Sequence, residues 1–325
     1  GTLFDLNPGS NTLYQAQKAA YHPNAVFVEE YSPRFFAAET ATRNFRVYND
    51  RLVAGNMTLQ WRAGAGAWQS RSFTMQPADR RRETVTLEVP ASAGPFALET
   101  QMTDGTNVVF SNRLACAALP RPTLSRPAQV NLGLYDPAGT VSALWSRFSV
   151  PFATVTNLSA DSFDSFNVLA IGRAALTNDV LPEVGRLTVA AKWQDFMLRG
   201  GWVLVLEQTN YPAWMPYDLR LEKFDASHAF PNPAHPVTLG LTTNDLRWWA
   251  GDHRVVSHAM AMPSRGSFRV LASIGSKNGL ENAAAVEMPV GSGGLLCAQW
   301  LVTERFDIEP LAGVLLQRML DYCAP

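Results

Sequence analysis

Cysteine is scarce in this sequence, and the little there is does not cluster. The 325 residues hold three cysteines, Cys116, Cys297 and Cys323. An odd number, with no CxxC pair and no Cys/His grouping, argues against a structural zinc site. Cys297 sits in the apolar run "GGLLCAQWL" and reads as a buried small hydrophobe. Cys116 and Cys323 could pair only if the fold brings them close. An excess of charge of one sign is also missing. Lys and Arg total 27 against 28 Asp and Glu, a net charge of −1. That balance gives no electrostatic pull toward nucleic acid or an anionic membrane surface. No run of eighteen apolar residues exists, so no helical membrane span is expected, and the first residues do not follow a signal-peptide pattern. No GxGxxG follows a strand. "GSKNGLENA" lacks the Lys-Ser/Thr of a phosphate loop, and "GSGG" leads into a strand rather than a helix. Dinucleotide and nucleoside triphosphate binding are disfavoured, and no cofactor is expected.

What remains is an ordinary globular composition, 47% apolar and 17% charged, in a chain long enough for two domains. Residues 1–24 read as a leader with one short helical stretch, the end of a preceding domain. From 25 to 119 the chain reads as seven strands at spacings of about ten residues, with turns at "NDR", "GAGA", "PADR", "SAGP" and "TDGT". Val85, Leu87 and Val89 alternate with Thr84, Thr86 and Glu88, the period of a sheet with one buried face. This pattern predicts an immunoglobulin-like β-sandwich without the Cys–Trp–Cys spacing of antibody domains. Residues 120–128, within the proline-rich "LPRPTLSRPA", read as a stiff linker.

From 129 to 325 the period changes. "VNLGLYD", "FNVLAIG", "GGWVLVLEQ" and "GSGGLLCAQWL" are short apolar runs, as in strands buried on both faces. Helical spacing separates them: Val141, Leu144, Trp145 and Phe148, then Val189, Trp193, Phe196 and Met197, closed by Gly200–Gly201. A last helix opens at Pro310 and lines up Leu311, Val314, Leu315, Met319 and Tyr322. Alternation of this kind predicts a doubly wound, mostly parallel α/β domain of the flavodoxin or amidotransferase type.

Ligands of such sheets gather outside the carboxyl ends of the strands. Asp136, Gly172, Arg173, Glu207 and Gln208 fall there. The turn "LEQTNYP" lacks the small residues of a nucleophile elbow, and Thr209 has no evident base. Asp136 and Glu207 could form a paired-acid site, or could simply accept hydrogen bonds from loop and helix amides. His253 and His258, with Asp252 alongside, lack the spacing of a metal-ligand set, so no metal is expected.

Several stretches together resemble a known layout. "LYQAQKAAYHPNAVFVEEYSPRFFAAETATRNFRVYNDRL" is similar to the passage in family 2-like glycoside hydrolases, β-galactosidase-like proteins, where the catalytic barrel ends and an immunoglobulin-like domain begins. "HPVTLGLTTNDLRWWAGDHRVVS" and "GSGGLLCAQWLVTERFDIEPLAGVLLQRMLDY" resemble a class I glutamine amidotransferase-like domain found after such modules. That domain is related in fold to the trimerisation domain of family 42 β-galactosidases. The resemblance implies a non-catalytic accessory C-terminal region of a glycoside hydrolase. Its partner would be an upstream barrel of the same polypeptide, its role domain packing, oligomerisation or extension of the substrate cleft, and its setting secreted or periplasmic. A barrel needs about 250 residues, and no catalytic residue of the family maps onto this chain.

Two other readings stand beside it. A free-standing carbohydrate-binding protein would use exposed flat aromatics beside polar groups. The candidates are Tyr211, Trp214 and Tyr217 in "NYPAWMPYD", with Trp248, Trp249 and Asp252. In an extended segment Trp248 and Trp249 point to opposite sides. An independent hydrolase would use Asp136, Glu207 or His253 as its catalytic groups.

Overall fold

The computed structural model describes residues 12–176, 183–215, 218–276 and 279–324. Strand dominates, 41% against 14% helix, so the chain is mostly β. It divides into two compact units, residues 1–120 and 121–325.

The first unit runs α1 (Thr12–Ala20), β1 (Asn24–Val28), β2 (Arg34–Phe36), β3 (Thr40–Asn49), β4 (Gly55–Ala63), β5 (Gln69–Met75), β6 (Asp79–Glu88), β7 (Gly94–Asp104) and β8 (Asn107–Leu119). These strands form two sheets, ordered β1-β3-β6 and β2-β8-β7-β4-β5. Alternation decides which residues meet between them. Met57, Leu59 and Trp61 of β4 and Val85 and Leu87 of β6 enter one apolar cluster with Phe45, Val47 and Met102. Full burial of each such side chain contributes about 2 kcal/mol. Polar bonds add register. The Trp61 indole Nε1 donates to the Thr86 carbonyl at 3.0 Å, from one sheet to the other. Buried Glu83 of β6 takes the Arg71 guanidinium of β5 at 2.6 Å. Burial raises the Glu83 carboxyl, but bonds from Arg71 and Arg81 outweigh it and hold it below its ordinary value. The short strand β2 was not expected. It joins β8 in parallel and buries Phe35 and Phe36.

The second unit contains β9 (Leu132–Tyr135), α2 (Thr140–Arg147), β10 (Ala153–Thr154), β11 (Val168–Ile171), α3 (Glu183–Leu198), β12 (Trp202–Val205), β13 (Arg220–Glu222), β14 (Phe230–Pro231), β15 (Ala259–Ala261), β16 (Arg269–Ser276), β17 (Gly279–Val290), β18 (Gly293–Ala298) and α4 (Pro310–Tyr322). One ten-stranded sheet carries it, with the path β10-β9-β11-β12-β18-β17-β15-β13 and β16 attached to β17. The four pairings from β10 to β18 are parallel. Those among β13 to β18 are antiparallel. The sheet is therefore mixed, where the apolar runs predicted a mostly parallel one. A run buried on both faces looks the same in either kind of ladder.

Its two faces carry separate clusters. Val168 and Ala170 of β11, Leu204 of β12 and Leu296 of β18 pack with Val141 and Trp145 of α2 and Leu315 and Met319 of α4. Leu169, Ile171, Val203, Val205 and Leu295 pack with Val189, Trp193 and Phe196 of α3. Gly200, at φ 99°, turns the chain out of α3 in a left-handed conformation that costs glycine nothing. At α4, Pro310 opens the helix and the buried Glu309 carboxylate accepts from Leu311 N at 3.3 Å. All three cysteines are free and buried, so Cys116 and Cys323 make no disulfide. Among the described residues no helix is long and apolar enough to cross a membrane.

Candidate functional site

The carboxyl ends of β9, β11, β12 and β18 form the mouth of the parallel strands. Glu207, two residues past β12, is 3% exposed. Its Oε1 accepts from Thr303 N at 2.6 Å and from Thr303 Oγ1 at 2.8 Å. Its Oε2 is buried without a donor. Desolvation pushes this carboxyl up to about 7, against the two Thr303 bonds and the attraction of Arg173, which pull the other way. The Glu207 carbonyl accepts from Ala174 N at 2.8 Å, tying the loop after β12 to the loop after β11.

Gln208 extends the same seal. Its Nε2 donates to the Gly172 carbonyl at 2.7 Å, its Oε1 accepts from Leu176 N at 2.8 Å, and its backbone N–H donates to Gln299 Oε1 at 3.1 Å. The Gln299 amide then donates to the Tyr211 hydroxyl at 2.9 Å. Every link joins loops that leave different strands, so these side chains act as cross-ties. Cys297 lies beside Tyr211, and burial pushes its thiol up to about 12, far from the thiolate a nucleophile needs. Above them runs a chain of ion pairs. Arg173 meets Glu304, Glu304 meets Arg305 at 2.9 Å, Arg305 meets Asp252 at 2.7 Å, and Arg254 closes on Asp252 with a 2.6 Å hydrogen bond.

Asp136, at the end of β9, works differently. Its Oδ2 accepts from Ser142 N at 2.8 Å in the first turn of α2, while Oδ1 is buried without a donor. Gly172 explains the fit, because a Cβ there would stand 2.4 Å from Asp136 Oδ1. Asp136 and Glu207 leave β9 and β12, with β11 between them. Two strand spacings separate such ends by about 10 Å. Each carboxylate has its own partners, Ser142 for one and Thr303 for the other.

The other candidates scatter. Tyr211 is buried within the network, its hydroxyl turned to Met260 Sδ at 3.4 Å. Trp214 stands edge-on to Trp193, ring centroids 5.1 Å apart. Tyr217 lies outside the described residues. Trp249 is fully buried and its indole donates to the Asp245 carbonyl at 3.3 Å. Trp248 is half-buried, with the Arg247 guanidinium 4.3 Å from its ring centroid. Its φ is 48° and that of His253 is 67°, both left-handed. His253 bridges back to Trp249 through the backbone, and exposed Asp252 is taken up by Arg254 and Arg305. Sequence reading missed Thr303, Gln299 and the Glu304–Arg305 pair. A signal was there: Gln299 directly follows the apolar run of β18, and Thr303, Glu304 and Arg305 follow the next apolar stretch, Trp300 to Val302. No group of three His, Cys, Asp or Glu side chains that could hold a metal ion occurs among the described residues.

No protein-family model matches the chain, and no curated protein matches it in sequence. Its distant structural neighbours include β-galactosidases. The β-galactosidase from Rahnella sp. R3 shares 10% identity over 62% of this chain and 32% of its own, at a TM-score of 0.38. The β-galactosidase from Bacillus circulans sp. alkalophilus shares 8% over 61% and 31%, at 0.35. The CARDB domain of the PF1109 protein from Pyrococcus furiosus shares 8% over 29% of this chain and 84% of its own, at 0.25. The chain thus spans about a third of either β-galactosidase.

Proposed function

We propose that this chain is a non-catalytic accessory region of a carbohydrate-active protein of the β-galactosidase-like kind, serving packing, oligomerisation or extension of a substrate cleft. We read the first unit as an immunoglobulin-like sandwich. The parallel strands of the second have the order second, first, third, fourth, fifth, which suits the doubly wound, flavodoxin-like arrangement. The observation that carries the functional reading is the use of the strand-end residues as cross-ties. Glu207, Gln208, Gln299 and Tyr211 are all buried, and they hydrogen-bond to neighbouring loops, to one another, to Leu206 and to Met260 of β15. A catalytic acid needs access to substrate and an oriented partner. Glu207 has the elevated proton affinity of a general acid, but its surroundings are those of a structural pin. The turn after β12 carries the hydroxyl of Thr209 but lacks the small flanking residues of a nucleophile elbow. The resemblance to β-galactosidase-like sequences supplies the carbohydrate context, and an upstream barrel and self-association are parts of the same proposal.

The test is kinetic. The purified chain is incubated with a panel of aryl α- and β-glycosides, and phenol release is followed against a blank. Release at the blank rate is the expected result. Turnover that disappears in Glu207→Gln or Asp136→Asn would replace the accessory reading with an independent hydrolase.

A further inference from the structure

A concavity lies in the antiparallel part of the second unit, lined by residues not discussed so far. Its volume is about 360 Å³, and its lining includes Phe224, Asp225, Ser227, His228 and Phe230. That size is at the low end of small-ligand sites, which run from roughly 300 to 1,000 Å³. Phe230 is 41% exposed, an unusual amount for a phenyl ring in a folded chain. Its backbone is held there by the pairing of β14 with β16 through Phe230 and Ser273.

The polar groups form the other half of the lining. Ser227 Oγ and His228 Nδ1 are 3.0 Å apart, which fixes the imidazole beside the hydroxyl. Asp225 is exposed and is the only carboxylate among the described residues of the lining. Arg254, which feels the Asp225 charge, is hydrogen-bonded to Asp252 at 2.6 Å. Trp248 neighbours two of the lining residues, Ser227 and His228. Its N–H donates to the Ser227 carbonyl at 2.8 Å, and the backbone bridge His228–Arg247 sets its ring 6.4 Å from the His228 ring. A tryptophan at φ 48° is strained, and the surrounding bonds keep it in place.

We propose that this hollow binds a neutral sugar, one or two pyranose units of a glycan. The chemistry selects that class. The exposed phenyl face of Phe230 offers stacking to a ligand with an apolar face, and a pyranose presents such a face of C–H groups. Asp225, Ser227 and His228 offer acceptors to a ring of hydroxyl donors. Among the described residues of the lining there is no Lys or Arg, and Asp225 disfavours a phosphate or carboxylate ligand there. The inference rests on the accessory reading for its carbohydrate context, but it fails separately. Aryl-glycoside turnover would overturn that reading and leave binding at this hollow to be judged by its own test.

The test uses the full chain and its tryptophan fluorescence, titrated with lactose, cellobiose and mannobiose. At least one disaccharide should give a saturable change. Phe230→Ala should weaken it about tenfold, and Asp225→Asn should weaken it with the surface aromatic intact. Trp68→Ala, in the other unit, should leave the affinity unchanged. Melting curves establish that each variant is folded, and Asp225→Asn carries the test if Phe230→Ala is not. The proposal is overturned if none of the three sugars gives saturation. It is equally overturned if both hollow variants bind like the wild type, or if tetramethylammonium saturates the signal where the sugars do not.

Discussion

Replacing Glu207 by Gln should flatten the fall in the second unit's stability between mildly acid and mildly alkaline pH. In the folded chain the carboxyl holds its proton up to about pH 7, against an ordinary value of 4.5. The folded state therefore binds the proton more tightly than the unfolded state. Glu207 favours the fold fully below pH 4.5, and that contribution is lost as pH rises toward and through 7. Each pH unit between those two values corresponds to about 1.4 kcal/mol, so the loss between pH 5 and pH 8 amounts to about 2–3 kcal/mol. The Gln amide cannot ionise, and its oxygen can keep both Thr303 bonds. Urea unfolding at pH 5 and pH 8, followed by tryptophan emission, reads the effect. Seven of the nine tryptophans lie in residues 121–325, so the signal reports mainly that unit. Other titrating groups are common to both proteins and cancel in the comparison. The reasoning is refuted if Glu207→Gln loses as much stability between the two pH values as the wild type.

Three further changes probe the same framework. Thr303→Val removes the 2.8 Å hydroxyl bond to Glu207, so the carboxyl midpoint should rise by about one pH unit in a carbon-detected titration. Gly172→Ala puts a Cβ 2.4 Å from Asp136 Oδ1 and should cost about 2 kcal/mol by denaturant unfolding. Adding Asp136→Ala should recover part of that loss, because it removes the atom that clashes. His235→Ala takes a donor 3.0 Å from buried Glu287, whose carboxylate is held low by His235 and Tyr322 against the upward push of burial. It should cost about 2 kcal/mol in the same assay.

Legibility in the sequence followed local pattern. The alternation in Thr40–Asn49 is strand β3, and the run Val168–Ile171 is β11, because each carries its burial period within a few residues. The antiparallel strands from β13 to β17 were missed for the opposite reason. In β17 seven successive residues, Asn282 to Met288, are buried, and Asn282 and Glu287 interrupt what would otherwise be a plain apolar run. Strand β2 has three residues and no period to read. At the sheet's mouth, the positions of Asp136 and Glu207 followed from where apolar runs end. Their chemical states did not. Thr303, the partner of Glu207, lies 96 residues away, and only the fold brings it within 2.6 Å. Trp248 and Trp249 show the same division. Adjacency in sequence separates a half-buried ring from a buried one, but the left-handed backbone of Trp248 was beyond reach.

The most direct measurement is a site-resolved pH titration of the Glu207 carboxyl carbon in the full chain, assigned by comparison with Glu207→Gln. A midpoint near 7, unmoved by added oligosaccharide, is expected of a carboxyl enclosed with Thr303. A midpoint near the ordinary 4.5, or one displaced by a glycoside ligand, would mean that water or substrate reaches this carboxyl and would contradict its structural role.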